Sequence, residues 1–230
     1  MQIAGSTALV TGAGRGLGSH FVRALLDRGA AKVYATARRP VDLDGAVSLP
    51  LDVTDPDSIA AAAAAAPDVT LLINNAGIAS FTDLVTGDLA TIRREMETNF
   101  FGPLQVIQAF APGLKNGAIL NVLSALSWAT YPGSAGYAAS KSAAWSLTNS
   151  VRLELLAQRT LVSGLVMAST DTDMMAGFDI PKNDPAEVVR TALDGLEAGE
   201  IEIIADADSA TAKAGLSEHP TVLYPMLLGD

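Results

Sequence analysis

A tyrosine and a lysine four residues apart are the side chains in this sequence best suited to chemistry. Tyr137 and Lys141 occur in Tyr-Ala-Ala-Ser-Lys, and Ser124 lies thirteen residues before the tyrosine. That spacing places the phenol and the ammonium on one helical face, one turn apart. A neighbouring ammonium favours the phenolate, so we expect Lys141 to lower the Tyr137 pKa from its usual ~10. The pair is a candidate proton donor or acceptor for an alcohol or a carbonyl, and Ser124 is placed to hydrogen-bond the same substrate oxygen.

A glycine-rich turn follows the first predicted strand. Residues 11–18 fit the pattern T-G-x-x-x-G-x-G through Thr11, Gly12, Gly16 and Gly18, and they do not fit G-x-G-x-x-G. Glycines let the backbone approach a pyrophosphate closely, and the start of the next helix supplies unpaired N–H groups. The alternative is a tight turn without a ligand, but the position after the first strand favours dinucleotide binding.

Apolar runs and helical stretches alternate along the chain. Strands are predicted at 6–10, 32–37, 47–51, 69–73, 118–123, 161–167 and 201–205, and helices at 17–27, 59–66, 88–110, 134–157, 185–196 and 206–216. This alternation predicts one doubly wound α/β domain over residues 1–230, a seven-stranded parallel sheet with helices on both faces. Gly12, Asn74, Ser124 and Thr172 each follow a strand, so we expect them at the ligand-binding edge of the sheet.

Composition excludes several kinds of partner. The 230 residues carry a formal net charge of −10 and contain no cysteine, and the two histidines, His20 and His219, lie far apart. An acidic chain has no electrostatic reason to bind nucleic acid or anionic lipid. We therefore expect no nucleic-acid partner, no membrane association, no disulfide and no metal site. The first residues do not read as a signal peptide, so a cytoplasmic location is expected.

Several motifs, in order over residues 5–175, resemble those of the short-chain dehydrogenase/reductase family. They are the glycine loop at 11–18, Asn74-Asn75-Ala76-Gly77, Asn99 in Thr-Asn-Phe, Ser124, and Tyr137 with Lys141. The resemblance implies a Rossmann-like domain and reversible hydride transfer between a nicotinamide dinucleotide and a carbonyl/alcohol pair. It further implies a catalytic tetrad of Asn99, Ser124, Tyr137 and Lys141. Asn99 would hold a water that relays protons to Lys141.

The resemblance also implies a set of cofactor contacts. They are Gly12, Arg15, Gly16, Leu17 and Gly18 in the glycine loop, Arg38 and Arg39, Asp52 and Val53 near the adenine, Asn75, Ala76 and Gly77, Tyr137 and Lys141, and Thr170 and Thr172 near the nicotinamide. Where the family places an acidic residue for NAD, this chain has Ala37 followed by the two arginines. Guanidinium groups bind phosphate through paired hydrogen bonds, so NADP(H) is predicted over NAD(H). A solvated surface pair is the alternative.

The substrate side departs from the family in one place. Met167-Ala168 stands where the family usually has Pro-Gly, which leaves the stiffness of that loop open. The following segment, residues 174–183, is the expected substrate lid. Its apolar side chains and those near the catalytic serine suggest a small apolar ketone, aldehyde or secondary alcohol, although ordinary packing explains them equally well. These side chains are Met174, Met175, Phe178, Ile180, Phe81, Leu126, Trp128 and Tyr131.

The C-terminal tail, residues 206–230, lacks the glycine-containing strand through which family members often form tetramers. A homodimer through the helices near 88–110 and 134–157 is predicted, with a tetramer left open. Three other functions remain alternatives: a non-catalytic nucleotide sensor or scaffold, a sugar-nucleotide epimerase or dehydratase, and a ketoreductase of carrier-protein substrates. The second needs a larger C-terminal domain, and the third is disfavoured because Lys182 is the only basic residue of the lid segment.

Overall fold

One parallel sheet runs through the computed structural model, which describes residues 1–228. Its strands are β1 Thr7–Thr11, β2 Lys32–Ala37, β3 Val47–Pro50, β4 Leu71–Asn74, β5 Ala118–Val122, β6 Leu161–Val166 and β7 Glu202–Ile204. Their order is β3-β2-β1-β4-β5-β6-β7. The order therefore reverses between β1 and β4, which is where doubly wound sheets open a crevice for a ligand. The predicted fold class and the seven parallel strands are confirmed.

Helices cover both faces of the sheet. They are α1 Gly16–Asp27, α2 Pro56–Ala65, α3 Leu89–Met96, α4 Gly102–Phe110, α5 Ala135–Glu154, α6 Pro185–Ala198, α7 Ala207–Ala214 and α8 Pro220–Leu223. Local chemistry explains their ends. The alanine-rich α2 begins at Asp55, whose carboxylate accepts a hydrogen bond from Asp57 N, and it ends just before Pro67.

Alternate residues of the strands serve two separate cores. Val10 and Ile73 pack on one face of the sheet among the side chains of α1 and α6. Leu9 and Leu72, their neighbours in sequence, pack on the other face against α2 and α4. Successive strand residues point to opposite faces, so a strand buried on both sides must be apolar throughout. This requirement explains the unbroken apolar runs of the central strands.

The helix predicted over 88–110 contains one wider, π-helical turn. The structure divides it into α3, a π-helical turn Glu97–Phe101 and α4. Pro103, near the start of α4, has no N–H to donate to the carbonyl of Asn99, and the Asn99 side chain is bonded elsewhere. Single π-turns inside helices often occur at functional sites. The helix predicted over 88–110 is therefore confirmed over 89–110, and the π-turn inside it is a feature that the sequence did not predict.

The C-terminal tail packs back onto the domain. Helix α7 was predicted as a helix over 206–216, and its N-cap is Asp206. Beyond it, Tyr224 Oη accepts a hydrogen bond of 3.1 Å from Thr130 N, in the loop between Ser124 and Tyr137. The last two residues of the predicted tail lie outside the described residues. None of the helices in the described part of the chain combines the length and hydropathy needed to cross a bilayer.

Candidate active site

The four residues of the predicted tetrad meet at the carboxyl edge of the sheet. Ser124 directly follows β5, Tyr137 and Lys141 lie on α5, and Asn99 lies in the π-turn. Asn99, Ser124 and Lys141 are buried. The Lys141 ammonium lies 5.7 Å from the centre of the Tyr137 ring. The structure therefore brings together side chains that are up to 42 positions apart in the sequence.

Ser124 is held by the turn that follows it. Its Oγ accepts a hydrogen bond of 3.1 Å from Leu126 N, and Ser127 Oγ accepts one of 3.4 Å from Ser124 N. This reciprocal capping fixes the position of the hydroxyl oxygen while its O–H stays able to donate. A serine with a fixed oxygen and a free O–H suits a substrate carbonyl or alkoxide.

Asn99 ties the loop after β4 to α5. Its Oδ1 accepts from Ile78 N at 2.9 Å, and its Nδ2 donates to Ile78 O at 2.8 Å and to Ser140 Oγ at 2.9 Å. Ser140 in turn donates to the Tyr137 carbonyl at 2.7 Å. The side-chain amide is thus committed to protein partners. Pro103 also leaves the main-chain carbonyl of Asn99 without an α-helical donor, and the water-holding role of Asn99 stays a prediction.

The electrostatics of the tyrosine and lysine differ from the expectation. Burial raises the pKa of Tyr137 to about 12; a hydrogen bond with Ser124 works against this rise and the charge of Glu95 adds to it. Burial lowers the pKa of Lys141 to about 8. The net shift of the Tyr137 pKa is therefore upward and not downward as expected, because desolvation of the phenol dominates, and the Lys141 ammonium donates to Val122 O at 2.8 Å. The phenol is therefore protonated throughout the neutral pH range.

The glycine loop leaves a backbone-lined cradle at the start of α1. Gly12 has a φ of +67°, and a Cβ there would lie 2.9 Å from the Cα of Ala76. A Cβ on Gly18 would lie 2.8 Å from Asn75 Nδ2, which itself donates to Thr11 O at 2.9 Å. Such close approaches allow only glycine.

The first turn of α1 is free to bind an anion. Its N-cap, Arg15, makes no side-chain capping bond within the described chain, so the N–H groups of that turn face the cradle. Leu17 packs against the core, which leaves its main-chain N–H as the group that can face a ligand. An open cradle with aligned donors and a helix dipole fits a pyrophosphate.

The arginines and Asp52 lie beyond the ends of β2 and β3. Arg38 and Arg39 are exposed. Asp52 Oδ1 accepts from Thr54 N at 3.0 Å, and this bond, together with the smaller effect of the Arg38 charge, holds the Asp52 pKa below its usual value. Arg15 is directed elsewhere, since it pairs with Asp173 at 3.5 Å. Two of the three predicted phosphate-binding arginines therefore lie together at the end of β2.

The loop without Pro-Gly is held by Asp206, a residue that the sequence reasoning assigned no role at the site. Asp206 Oδ2 accepts from Ala168 N at 2.8 Å and from Asn183 Nδ2 at 3.0 Å, and Oδ1 accepts from Ser209 N at 2.8 Å. One carboxylate thus joins the end of β6, the end of the lid segment and the start of α7. An aspartate between a strand and a helix signals an N-cap, but only the tertiary structure shows where its second oxygen points.

The predicted nicotinamide contacts follow this loop. Thr170 forms a parallel bridge with Asn183, so it is fixed to the end of the lid segment. Thr172 faces the glycine loop, because a Cβ on Gly16 would lie 3.5 Å from the Thr172 side chain. Gly77 lies on the opposite side of the site, where a Cβ would come within 3.2 Å of Asn99 Oδ1. Val53 packs against Gly102 at the start of α4. The residues predicted to contact the cofactor thus follow the carboxyl ends of β1, β2, β3, β4 and β6, along one edge of the sheet.

Apolar side chains form the outer rim of the site. Phe81, Tyr131, Met174, Phe178 and Ile180 are all exposed. Trp128, which was expected in this wall, is instead buried behind it and packs edge-on against Trp145 with ring centres 6.4 Å apart. The rim therefore consists of side chains from the loop after β4, the loop after β5 and the lid segment.

Glu95 was also missed by the sequence reasoning. Its side chain is fully buried, and Oε1 accepts a hydrogen bond of 2.6 Å from Ser80 N. Within residues 1–228, Oε2 has no hydrogen-bond partner. Glu95 lies four residues before Asn99, which places both on one face of the helix. That spacing is the one signal in the sequence that pointed to it.

The fold and the site define a doubly wound α/β protein with a buried serine, a buried lysine and a half-buried tyrosine at the carboxyl edge of its sheet. The family model described as short chain dehydrogenase matches residues 6–182. The chain therefore belongs to the short-chain dehydrogenase family and is an oxidoreductase of that family.

Individual relatives agree on the family and differ in substrate. The chain is 34% identical over 166 residues to carbonyl reductase [NADPH] 2 of Sus scrofa, covering 67% of this chain and 68% of the relative. It is 32% identical over 189 residues to a 3-oxoacyl-[acyl-carrier-protein] reductase of Vibrio cholerae, covering 76% and 77%. A short chain dehydrogenase from Burkholderia cenocepacia, solved in complex with NADP, superposes with a TM-score of 0.93 at 40% identity, covering 99% and 100%.

Proposed function

We propose that this protein uses NADP(H) to interconvert a ketone or aldehyde and its alcohol, with Tyr137 as the general acid and base. The observation that carries the proposal is the half-buried, protonated Tyr137 phenol, which lies beside Ser124 and Lys141 at the edge where the glycine cradle also opens. A family oxidoreductase with this arrangement has both a hydride-carrier site and a proton donor for the reacting oxygen.

The residues present fit a dinucleotide. The cradle of Gly12, Gly16 and Gly18 with the first turn of α1 would hold the pyrophosphate, Asp52 and Val53 would lie near the adenine, and Thr170 and Thr172 near the nicotinamide. The bound dinucleotide would supply the hydride. Arg38 and Arg39, without an acidic residue beside them at the end of β2, favour a 2′-phosphate. The Burkholderia cenocepacia structure with NADP and the NADPH-named pig reductase support the same choice.

The cofactor choice is tested by Arg38→Asp. A carboxylate at the end of β2 repels a 2′-phosphate and accepts from the ribose hydroxyls, so we expect the preference for NADPH over NADH to fall by at least tenfold. The measurement is kcat/KM for each cofactor at fixed carbonyl substrate. Arg159→Asp is the control, because Arg159 precedes β6 and therefore lies at the amino edge of the sheet, opposite the carboxyl end of β2. An unchanged preference in Arg38→Asp would show that the assignment is wrong.

During reduction, side chains of this protein hydrogen-bond the substrate carbonyl oxygen and supply the proton that it takes up. The Ser124 O–H and the Tyr137 O–H would donate hydrogen bonds to the substrate carbonyl oxygen. As negative charge develops on that oxygen, the proton moves from Tyr137 Oη to it, since an alkoxide is a stronger base than a phenolate. The Lys141 ammonium stabilises the phenolate that remains. In oxidation the same proton returns to the phenolate.

The proton-transfer role predicts the effect of Tyr137→Phe. Loss of the hydroxyl should lower kcat for NADPH-dependent carbonyl reduction by about 10²–10⁴-fold, because it removes general acid catalysis. The measurement is NADPH oxidation against a panel of ketones and aldehydes. Tyr34→Phe is the matched control. It removes the hydroxyl of a buried tyrosine on β2 that donates a hydrogen bond to Asp68, and its kcat should equal that of the wild type. Near wild-type turnover in Tyr137→Phe would reject the mechanism.

Two other functions are less well supported. A ketoreductase of carrier-protein substrates needs cations for the carrier phosphate, but Lys182, the one basic residue of the lid segment, lies 3.8 Å from the carboxylate of Asp171. A sensor or scaffold would have no need for the complete tetrad. The proposed substrate is therefore a small apolar carbonyl compound or alcohol that contacts the apolar rim of the site.

A cytoplasmic location stays a prediction.

A further inference from the structure

Two phenylalanines meet above the proposed catalytic site. The ring centres of Phe81 and Phe178 are 4.7 Å apart, with the ring planes at 53°. Phe81 lies in the loop after β4, and Phe178 lies in the lid segment after β6. In the sheet, β5 lies between those two strands. A contact between the two loops must therefore cross the carboxyl end of β5, where Ser124 begins.

Phe81 is held in an unfavourable backbone conformation by its neighbours. Its φ is +50°, in the left-handed region of backbone conformation that residues other than glycine and asparagine rarely adopt. Ser80 N donates to the buried carboxylate of Glu95 at 2.6 Å, and Gly136 N donates to Thr82 O at 3.1 Å. Hydrogen bonds on both sides of Phe81 thus fix the loop and direct its ring toward the lid segment. Strain maintained in this way is typical of ligand-binding sites.

Phe178 is placed between two fixed points of the lid segment. Before it, Met175 N donates to Thr172 O at 2.9 Å, and Phe178 N donates to Met175 O at 3.2 Å. After it, Asn183 is bound to Asp206 at 3.0 Å. Phe81 and Phe178 are nevertheless 40% and 39% exposed, so more than a third of each side chain remains open to a ligand.

We propose that Phe81 and Phe178 form an aromatic clamp that selects carbonyl substrates with a flat aromatic ring next to the carbonyl carbon. The inference rests on the proposed function, whose substrate it narrows to aryl ketones and aryl aldehydes. With the carbonyl oxygen at Ser124 and Tyr137, the ring attached to the carbonyl carbon lies beneath the clamp. An aryl ring makes offset or edge-to-face contacts with both phenylalanines, whereas a saturated ring of the same size makes dispersion contacts only.

The test compares two ketones of nearly equal size, acetophenone and cyclohexyl methyl ketone. We take the ratio of their kcat/KM values in the wild type and in Phe178→Leu, because the intrinsic reactivity of each ketone cancels between the two proteins. The aryl preference should fall about fivefold in Phe178→Leu, which keeps an apolar side chain but loses the ring. Val85→Ala, a 96% exposed position in the connecting segment that carries Phe81, should leave the ratio unchanged.

Each outcome decides between the two proposals. An unchanged ratio in Phe178→Leu would overturn the clamp while leaving carbonyl reduction intact. If the wild type reduces other carbonyl compounds of the panel but neither of these ketones, the clamp is overturned. If it reduces no carbonyl compound at all, the proposed function is contradicted instead, and saturation-transfer NMR of the same two ketones then tests the clamp by binding alone. Binding that is equal for the two ketones would overturn it. Phe81→Leu, which removes the other ring, replaces Phe178→Leu if that variant does not fold.

Discussion

At the scale of single residues, burial decides the chemistry of the site. Lys141 is buried and bonded to a neutral carbonyl, so folding disfavours its charged form and lowers its pKa to about 8. The phenol of Tyr137 is shifted the other way, to about 12. A charged lysine without a carboxylate partner lowers stability, which indicates that the residue serves function rather than folding.

Lys141→Met should raise the melting temperature and abolish carbonyl reduction. An apolar side chain of similar length removes the desolvation cost, for a net gain of roughly 1–2 kcal/mol at pH 7 after loss of the bond to Val122. Between pH 8 and 10.5 the unfolded lysine holds a proton that the folded one has lost, so wild-type stability rises with pH there. The advantage of the variant is therefore full below pH 8 and shrinks above it.

Melting curves of both proteins from pH 7 to pH 10 check this prediction. Lys115→Met, in a surface loop, is the control and should show no such pH dependence. A variant that melts below the wild type at pH 7, or by a constant difference at every pH, would contradict the account of Lys141.

At the scale of elements, the connections rather than the strands position the site. The π-turn between α3 and α4 places Asn99 against Ile78 and Ser140, and Asp206 joins the end of β6 to the lid segment. The hydrogen bond from Ala168 N to Asp206 restrains the loop after β6. The restricted backbone of Pro-Gly would restrain the same loop in other family members.

Asp206→Ala should raise KM for the carbonyl and for NADPH several-fold while changing kcat less. The variant loses three hydrogen bonds, which costs about 1–3 kcal/mol of stability and frees the loop that carries Thr170 and Thr172. Asp184→Ala is the matched control, because Asp184 caps α6 through Ala186 N and does not contact that loop. It should lose stability with unchanged KM values. Equal effects of the two variants on KM would show that Asp206 acts only as a helix cap and does not position the loop.

At the scale of the whole molecule, apolar side chains remain exposed on the helices predicted to form a dimer. Leu153 at the end of α5 is 74% exposed, and Phe101 in the π-turn is 40% exposed. Exposed apolar side chains on adjacent helices are typical of association surfaces. The homodimer through these helices stays a prediction.

The dimer is checked by light scattering of the purified protein. We expect the mass of two chains, and Leu153→Glu should shift the equilibrium toward one chain by placing a charge in an apolar interface. Leu216→Glu, which alters an exposed leucine after α7, should leave the mass unchanged. A monodisperse monomer in the wild type would reject the prediction.

The sequence by itself determined the fold, the glycine loop and the identities of the tetrad. Apolar runs suited to strands buried on both faces, and turns at strand ends, are local properties, so the seven strands were predicted within a few residues. The order of the motifs was likewise sufficient to identify Asn99, Ser124, Tyr137 and Lys141 as candidates.

Only the tertiary structure decided the charges and the shape of the site. The direction of the Tyr137 pKa shift depends on desolvation, which requires knowing what surrounds the phenol. The roles of Glu95 and Asp206 and the contact between Phe81 and Phe178 join positions 15 to 97 residues apart. Hydrogen bonds and ring contacts of this kind depend on distances of a few ångströms that the spacing of residues in a sequence does not specify.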